Sequence, residues 1–99
     1  MKVGDILVYC YHYSARYPNF ARVIKMTEKS VWLEKVPKKW FNNDGYGQNG
    51  TRIPDFDKPT TPMKGCFRIK KSKNGTEFIK VDGCYGYIWN GKPEDEFTD

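Results

Sequence analysis

Aromatic and cationic side chains are interleaved at two places along this 99-residue chain, Tyr9, Tyr11, Tyr13, Arg22 and Trp32 in its first third and Arg68, Lys70, Phe78 and Lys80 towards its end. Lys and Arg release counterions on meeting phosphates, and exposed aromatic faces stack on bases, so the combination suits single-stranded nucleic acid. A bland explanation competes: alternating Lys on a solvated strand face blocks edge-to-edge aggregation, and aromatic rings fill the interior of small β domains. Charge patterning alone does not decide between them. The formal net charge is +5, yet Lys64, Arg68, Lys70, Lys71, Lys73 and Lys80 stand in one stretch against Glu77 alone, while Glu94, Asp95, Glu96 and Asp99 end the chain without a cation.

Other chemistries find less support. Cys10, His12, Cys66 and Cys84 offer one four-ligand set for zinc, and Cys10 and His12 share a strand face, but no Cys-x-x-Cys knuckle pre-positions two thiolates. Packing as small hydrophobes is the expected role, with no metal. Gly45-Tyr46-Gly47-Gln48-Asn49-Gly50 satisfies G-x-G-x-x-G, but a dinucleotide site needs a strand before it and a helix after it, and neither is visible, so a plain loop and no cofactor are expected. His12 is the only imidazole. No nucleophile elbow or cysteine-protease signature surrounds a candidate nucleophile, and the paired carboxylates Asp55 and Asp57 fall in a Pro-rich loop, so no enzyme is expected. Asn49-Gly50-Thr51 and Asn74-Gly75-Thr76 read as turns rather than glycosylation sites.

The elements that must carry these residues read as strands: Tyr, Phe and Trp alternate with Val, Ile and Lys in short runs split by Gly, Pro and Asn. In Asp5 to Tyr13, Ile6, Val8, Cys10 and His12 fall on one face and Leu7, Tyr9, Tyr11 and Tyr13 on the other, both apolar enough to be partly covered. A turn is expected from Ser14 to Asn19. Phe20 to Met26 and Ser30 to Val36 then pair so that Ala21, Val23, Val31 and Leu33 face the core and Arg22, Ile24, Trp32 and Glu34 face outward. Around Asn74-Gly75, a three-residue loop Lys73-Asn74-Gly75 with Gly75 left-handed aligns Phe67 and Ile69 with Ile79 and Val81 and sets Lys71 opposite Glu77. The outer face of that hairpin shows Arg68, Lys70, Phe78 and Lys80. Cys84 to Trp89 reads equally as a last strand or a helical turn.

The whole reads as a mainly β fold, a small antiparallel Src-homology-3-like barrel of about five strands, in one domain over 1–93. A long loop spans 37–65, and an acidic tail of solvated charge closes the chain over 94–99. A chain of this length buries only about two-thirds of its unfolded surface. Three widely spaced cysteines speak for a reducing compartment, and no apolar run approaches the roughly 20 residues of a membrane span. With an early Gly and Asp breaking any secretory pattern, a soluble cytoplasmic protein without membrane contact is expected.

The opening Val3-Gly4-Asp5-Ile6-Leu7-Val8 resembles the first strand of Src-homology-3-like barrels of the Tudor and KOW kind. With the Tyr-rich turn, the hairpin Phe20 to Leu33 and the closing Tyr87-Ile88-Trp89-Asn90-Gly91-Lys92-Pro93, the chain also looks like small uncharacterised proteins of phages and other mobile elements. Those relatives commonly carry a Ser-Trp-Gly-Tyr-type segment where this chain has Cys10-Tyr11-His12-Tyr13. The resemblance implies a phage or mobile-element origin, hence a host cytoplasm, and no activity. The expected function is a non-enzymatic module that associates with nucleic acid or a nucleoprotein complex through the basic aromatic face. The alternatives are an effector that binds a host protein, for example of defence or transcription, using Tyr, Trp and Arg as anchors, and a self-associating structural component.

Overall fold

The computed structural model describes residues 1–12, 15–45 and 49–97, with the backbone alone at His12. Alternation produces the first three strands, β1 (Ile6–His12), β2 (Arg16–Met26) and β3 (Ser30–Val36). Val23 pairs with Leu33 and Arg22 with Glu34, and a bulge between Val23 and Lys25 then sets Trp32 opposite Lys25. Ala21, Val23, Val31 and Leu33 are buried, whereas Arg22, Trp32 and Glu34 are half-buried and Ile24 is exposed, as the parity of the pairing requires. β2 begins at Arg16 rather than after Asn19: Pro18 sits opposite Cys10 within the strand, so 16–19 of the expected turn are strand, while Ser14 lies outside the described residues.

The remaining strands are β4 (Lys38–Asn43), β5 (Gly50–Pro54), β6 (Thr61–Pro62), β7 (Phe67–Arg68), β8 (Lys70–Lys71), β9 (Glu77–Val81), β10 (Cys84–Ile88) and β11 (Glu94–Glu96). The fold is all-β and antiparallel, with no helix among the described residues. One sheet runs β6-β3-β2-β1-β10-β9-β8, and β7 pairs with β3, so the segment Phe67 to Lys71 reaches from one end of that sheet to the other, its ladder interrupted at Ile69. A second sheet runs β11-β5-β4.

Three expectations are corrected here. The segment 37–65 is not one long loop, because β4 and β5 form a hairpin within it and β6 pairs with β3. Among the described residues the strands number eleven, in two sheets, against the expected five or so. The acidic end is not solvated charge at Glu94 and Glu96, which are paired, although Asp95 is exposed and Asp99 lies outside the described residues: β11 pairs with β5, and Arg16 and Phe97 exchange both backbone hydrogen bonds, at 2.9 and 3.1 Å, tying the second sheet to the first. Glu96 is buried and accepts from Lys38 Nζ at 2.6 Å and from Arg52 Nε and Nη2 at 3.1 Å. Lys38 Nζ also donates to the Pro18 carbonyl at 2.9 Å, and the Arg52 guanidinium lies 3.6 Å from the centre of the Trp40 ring. Opposite charges drawn from β4, β5 and β11 thus hold together a sheet with little apolar alternation of its own.

The first sheet has apolar residues on both faces. Leu7, Tyr9, Ala21, Val23, Val31, Leu33, Ile79 and Val81 form the main core. Val8, Phe20 and Val36 form a smaller one on the reverse face, where Trp89 meets Phe20 edge to face with ring centres 5.5 Å apart. Each fully buried Leu, Ile, Val or Phe contributes roughly 1.5–3 kcal/mol, so the two clusters together are the main stabilising term.

The literal glycine motif becomes a hairpin connection. Gly45 and Gly50 flank the β4–β5 turn, strands stand on both sides, and Gly47 lies outside the described residues. A Cβ on Gly50 would stand 2.1 Å from the Asn42 backbone oxygen and 2.5 Å from the Asn43 Cα, where the β4 bulge brings the chains together. Gly50→Ala is therefore expected to lower stability by about 2–3 kcal/mol, read as a shift in the urea midpoint. An unchanged midpoint would show that the backbone there yields without cost.

Candidate nucleic-acid interface

The functional residues at the end of the chain are positioned by two tight turns. At Lys73-Asn74-Gly75 the Ser72 amide donates to the Thr76 carbonyl at 2.9 Å, Gly75 takes a φ of +88°, and Lys71 pairs with Glu77 and Lys70 with Phe78, the register expected from the bulged loop. Asp82 and Gly83 form the next turn with φ of +50° and +82°, the combination a two-residue hairpin between right-twisted strands demands. Cys84 to Ile88 is a strand, which resolves the alternative left open by the sequence.

In β10, Gly86 points to the main core, and a Cβ there would meet Ile79 Cγ1 at 3.1 Å. Its neighbours Tyr85 and Tyr87 therefore project from the reverse face, where they are 55% and 43% exposed. Phe78 stands between them, edge-on to Tyr85 with centres 5.5 Å apart and tilted against Tyr87 at 5.9 Å. Lys80 is opposite Tyr85, Lys70 opposite Phe78, and Val8 opposite Tyr87. Lys64, Arg68, Lys70, Lys71, Lys73 and Lys80 are all exposed. The second sheet attaches beside β2, so the reverse face over β8, β9 and β10 leaves Tyr85, Tyr87, Lys70 and Lys80 exposed, with Phe78 half-buried.

The nine residues expected to share a face do not all do so. Lys70, Phe78 and Lys80 come together, and Arg68 is exposed two residues before Lys70, on the stretch that pairs with β3. Arg22 lies on β2, separated from β9 by β1 and β10, Trp32 lies on β3, and both already have partners. Arg22 pairs with Glu34 at 3.0 Å and covers Phe56 at 5.5 Å, and Lys25 sits 4.8 Å over Trp32. Tyr11 is exposed near the far end of β1 opposite Tyr17, and Tyr13 is outside the described residues. Tyr9 is corrected from a surface residue to a core one: it belongs to the main cluster, 8% exposed. Tyr85 and Tyr87 were not expected, although a Tyr-Gly-Tyr alternation puts both rings on one side once the segment is known to be a strand.

Burial pushes the Tyr9 phenol above its ordinary value, and the charges of Asp82 and Cys84 add to the shift. A phenol that holds its proton more tightly when folded contributes stability that is fully present below its unfolded pKa of about 10 and is lost as pH rises through the folded value. Tyr9→Phe is expected to flatten the loss of stability above about pH 10, measured by urea midpoints across the alkaline range. An identical alkaline slope in both proteins would remove Tyr9 from that account.

Beside the tyrosines lies an open hollow of about 600 Å³ lined by Val8, Cys10, Tyr85 and Tyr87, with Arg16 and Glu94 paired at 3.1 Å along it. Cys84 also borders it, while Cys66 is exposed elsewhere on the chain, and the His12 side chain is outside the described residues. Burial pushes the Cys10 thiol up, with Arg16 opposing the shift and Glu94 adding to it. Among the described residues no three His, Cys, Asp or Glu side chains stand together as a metal site. Nor is any helix long and apolar enough to cross a membrane.

No family model, curated protein or solved structure matches the chain. The functional reading therefore rests on the residues and their geometry.

Proposed function

We propose that the chain is a non-enzymatic module that binds single-stranded nucleic acid, alone or within a nucleoprotein complex, across the β8–β9–β10 face. The observation that carries this reading is the cluster of exposed Tyr85 and Tyr87 around half-buried Phe78, with Lys80 set opposite Tyr85 and Lys70 opposite Phe78. Aromatic faces stack on bases of any sequence, and flanking ammonium groups follow the phosphates. The phage or mobile-element resemblance agrees with a small accessory protein acting in a host cytoplasm.

The test is fluorescence anisotropy of labelled decathymidylate across a salt series. Three phosphate contacts, from Arg68, Lys70 and Lys80, give log K falling with log salt at a slope of about −2, and Lys70→Ala or Lys80→Ala each reduces the slope by about 0.7 while the fold is kept. Absent or salt-independent binding would overturn the proposal.

A protein partner is the second reading, favoured by a separate apolar hollow of about 500 Å³ where Phe41, Ile53, Phe56 and Trp89 gather, with Phe41 63% and Phe56 55% exposed. Under that reading Phe41→Ser abolishes association with a host protein and Tyr85→Ala does not.

A further inference from the structure

Resting on the nucleic-acid reading, we propose that the hollow beside Tyr85 and Tyr87 is a base-binding subsite that selects guanine through Glu94. Its volume of about 600 Å³ lies within the usual range of small-molecule sites, roughly 300–1,000 Å³. Tyr85 and Tyr87 line one side of it and Val8 and Cys10 supply apolar floor, so a base stacked on the tyrosines lies at its mouth.

The polar side of the hollow sets the choice of base. Arg16 Nη2 donates to Glu94 Oε2 at 3.1 Å, and Arg16 Nη1 donates to the Asp95 carbonyl, so the carboxylate is anchored through a guanidinium that is itself fixed. Both side chains are only about one-fifth exposed, at 20% for Arg16 and 19% for Glu94. Among the described residues Arg16 is the hydrogen-bond partner of the Glu94 side chain, and a carboxylate, with four lone-pair sites, has room for further donors. It can only accept. Guanine alone presents two adjacent donors, N1–H and the N2 amino group, on its Watson–Crick edge. Adenine and cytosine each offer one amino donor beside a ring-nitrogen acceptor, and thymine and uracil set an N–H between two carbonyls. Arg16 also neutralises the carboxylate, so the approaching phosphate chain meets no net negative charge, while Lys80, opposite Tyr85, is placed for the adjoining phosphate.

The experiment uses the full chain and competes labelled decathymidylate with unlabelled trinucleotides in which the central base of three is guanine, adenine, cytosine or thymine. The guanine trinucleotide is expected to compete about tenfold better than the adenine one, the discrimination of one good bidentate contact. Glu94→Gln, which keeps the shape but places an amide donor towards the base, brings the four to parity. In parallel, guanosine monophosphate added to the unsubstituted protein shifts the backbone amide signals of Tyr85 to Ile88, a readout that needs no variant to fold. Equal competition by all four trinucleotides, with decathymidylate still bound, would overturn the guanine subsite and leave the stacking face intact. Failure of decathymidylate itself to bind would overturn both.

Discussion

Tyr85→Ala with Tyr87→Ala is expected to weaken binding of decathymidylate by about 100-fold, at roughly tenfold per lost stacking partner. The two rings are suited to such a test because they are 55% and 43% exposed and point away from the main core. What the fold loses is their contact with Phe78, at 5.5 and 5.9 Å between ring centres. Such contacts contribute about 0.5–1.5 kcal/mol each, so the melting midpoint falls by several degrees and the protein remains folded at the temperature of the binding assay. Tyr85→Phe with Tyr87→Phe retains the stacking surface and is expected to bind within about threefold of the unsubstituted protein, because base stacking draws on the π face rather than the hydroxyl. A double alanine variant that binds normally would detach the aromatic cluster from function and leave Lys70 and Lys80 as ordinary solvated charge. The two classes of variant also separate by salt: removing rings lowers affinity at every salt concentration, whereas removing lysines changes the slope.

The part of this face that the sequence disclosed is the part fixed by local rules. The register beside the Gly75 turn followed from that glycine, and Lys71 does stand opposite Glu77, but the expected hairpin is shorter: Phe67 and Arg68 pair with β3 instead of continuing along β9, although Phe67 and Ile69 still pack against the core that holds Ile79 and Val81. The pairing of β2 with β3 was legible for the same reason, an alternation in which Val23 and Leu33 are both fully buried. Asp82-Gly83 is an equally good turn signal, and it is what folds the next strand back onto β9. Without it the short Cys84-Tyr85-Gly86-Tyr87-Ile88 run, with glycine at its centre, had no fixed partner, and the two tyrosines escaped notice. Tyr9 failed differently: it shares Leu7's face and so belongs to the main core, whereas the strand's other face, with Val8 and Cys10, packs the smaller cluster.

The second sheet was illegible for a stronger physical reason. β4 reads Lys38-Lys39-Trp40-Phe41-Asn42-Asn43, without the two-residue alternation that marks a half-buried strand, and β11 is Glu94-Asp95-Glu96. Neither has a reason to be a strand in isolation. The reason lies in charges brought together from positions 38, 52 and 96, and in the backbone pairing of Arg16 with Phe97. Contacts between residues so far apart in the chain leave no trace in any local window.

That account predicts a large effect from one residue of the acidic end. Glu96→Ala is expected to lower stability by about 3 kcal/mol, within the range for removing one member of a buried ion pair. For a domain of this size that is a fall of roughly 12–24 °C in melting midpoint. The cost arises on the partners: Lys38 and Arg52, 24% and 18% exposed, lose the carboxylate that satisfies them and are left facing each other as like charges under partial burial. Were the acidic end solvated, the same substitution would stay within about 0.5 kcal/mol of neutral. Asp95→Ala supplies the comparison within one strand, since Asp95 is exposed and only its backbone carbonyl is used, by Arg16. Calorimetry of the two variants side by side decides the matter. A Glu96 variant as stable as the Asp95 variant would mean that the three charges do not hold the sheet. The expected difference would make the acidic end the clasp of the second sheet, and through Arg16 and Phe97 the support for the wall of the hollow that carries Glu94.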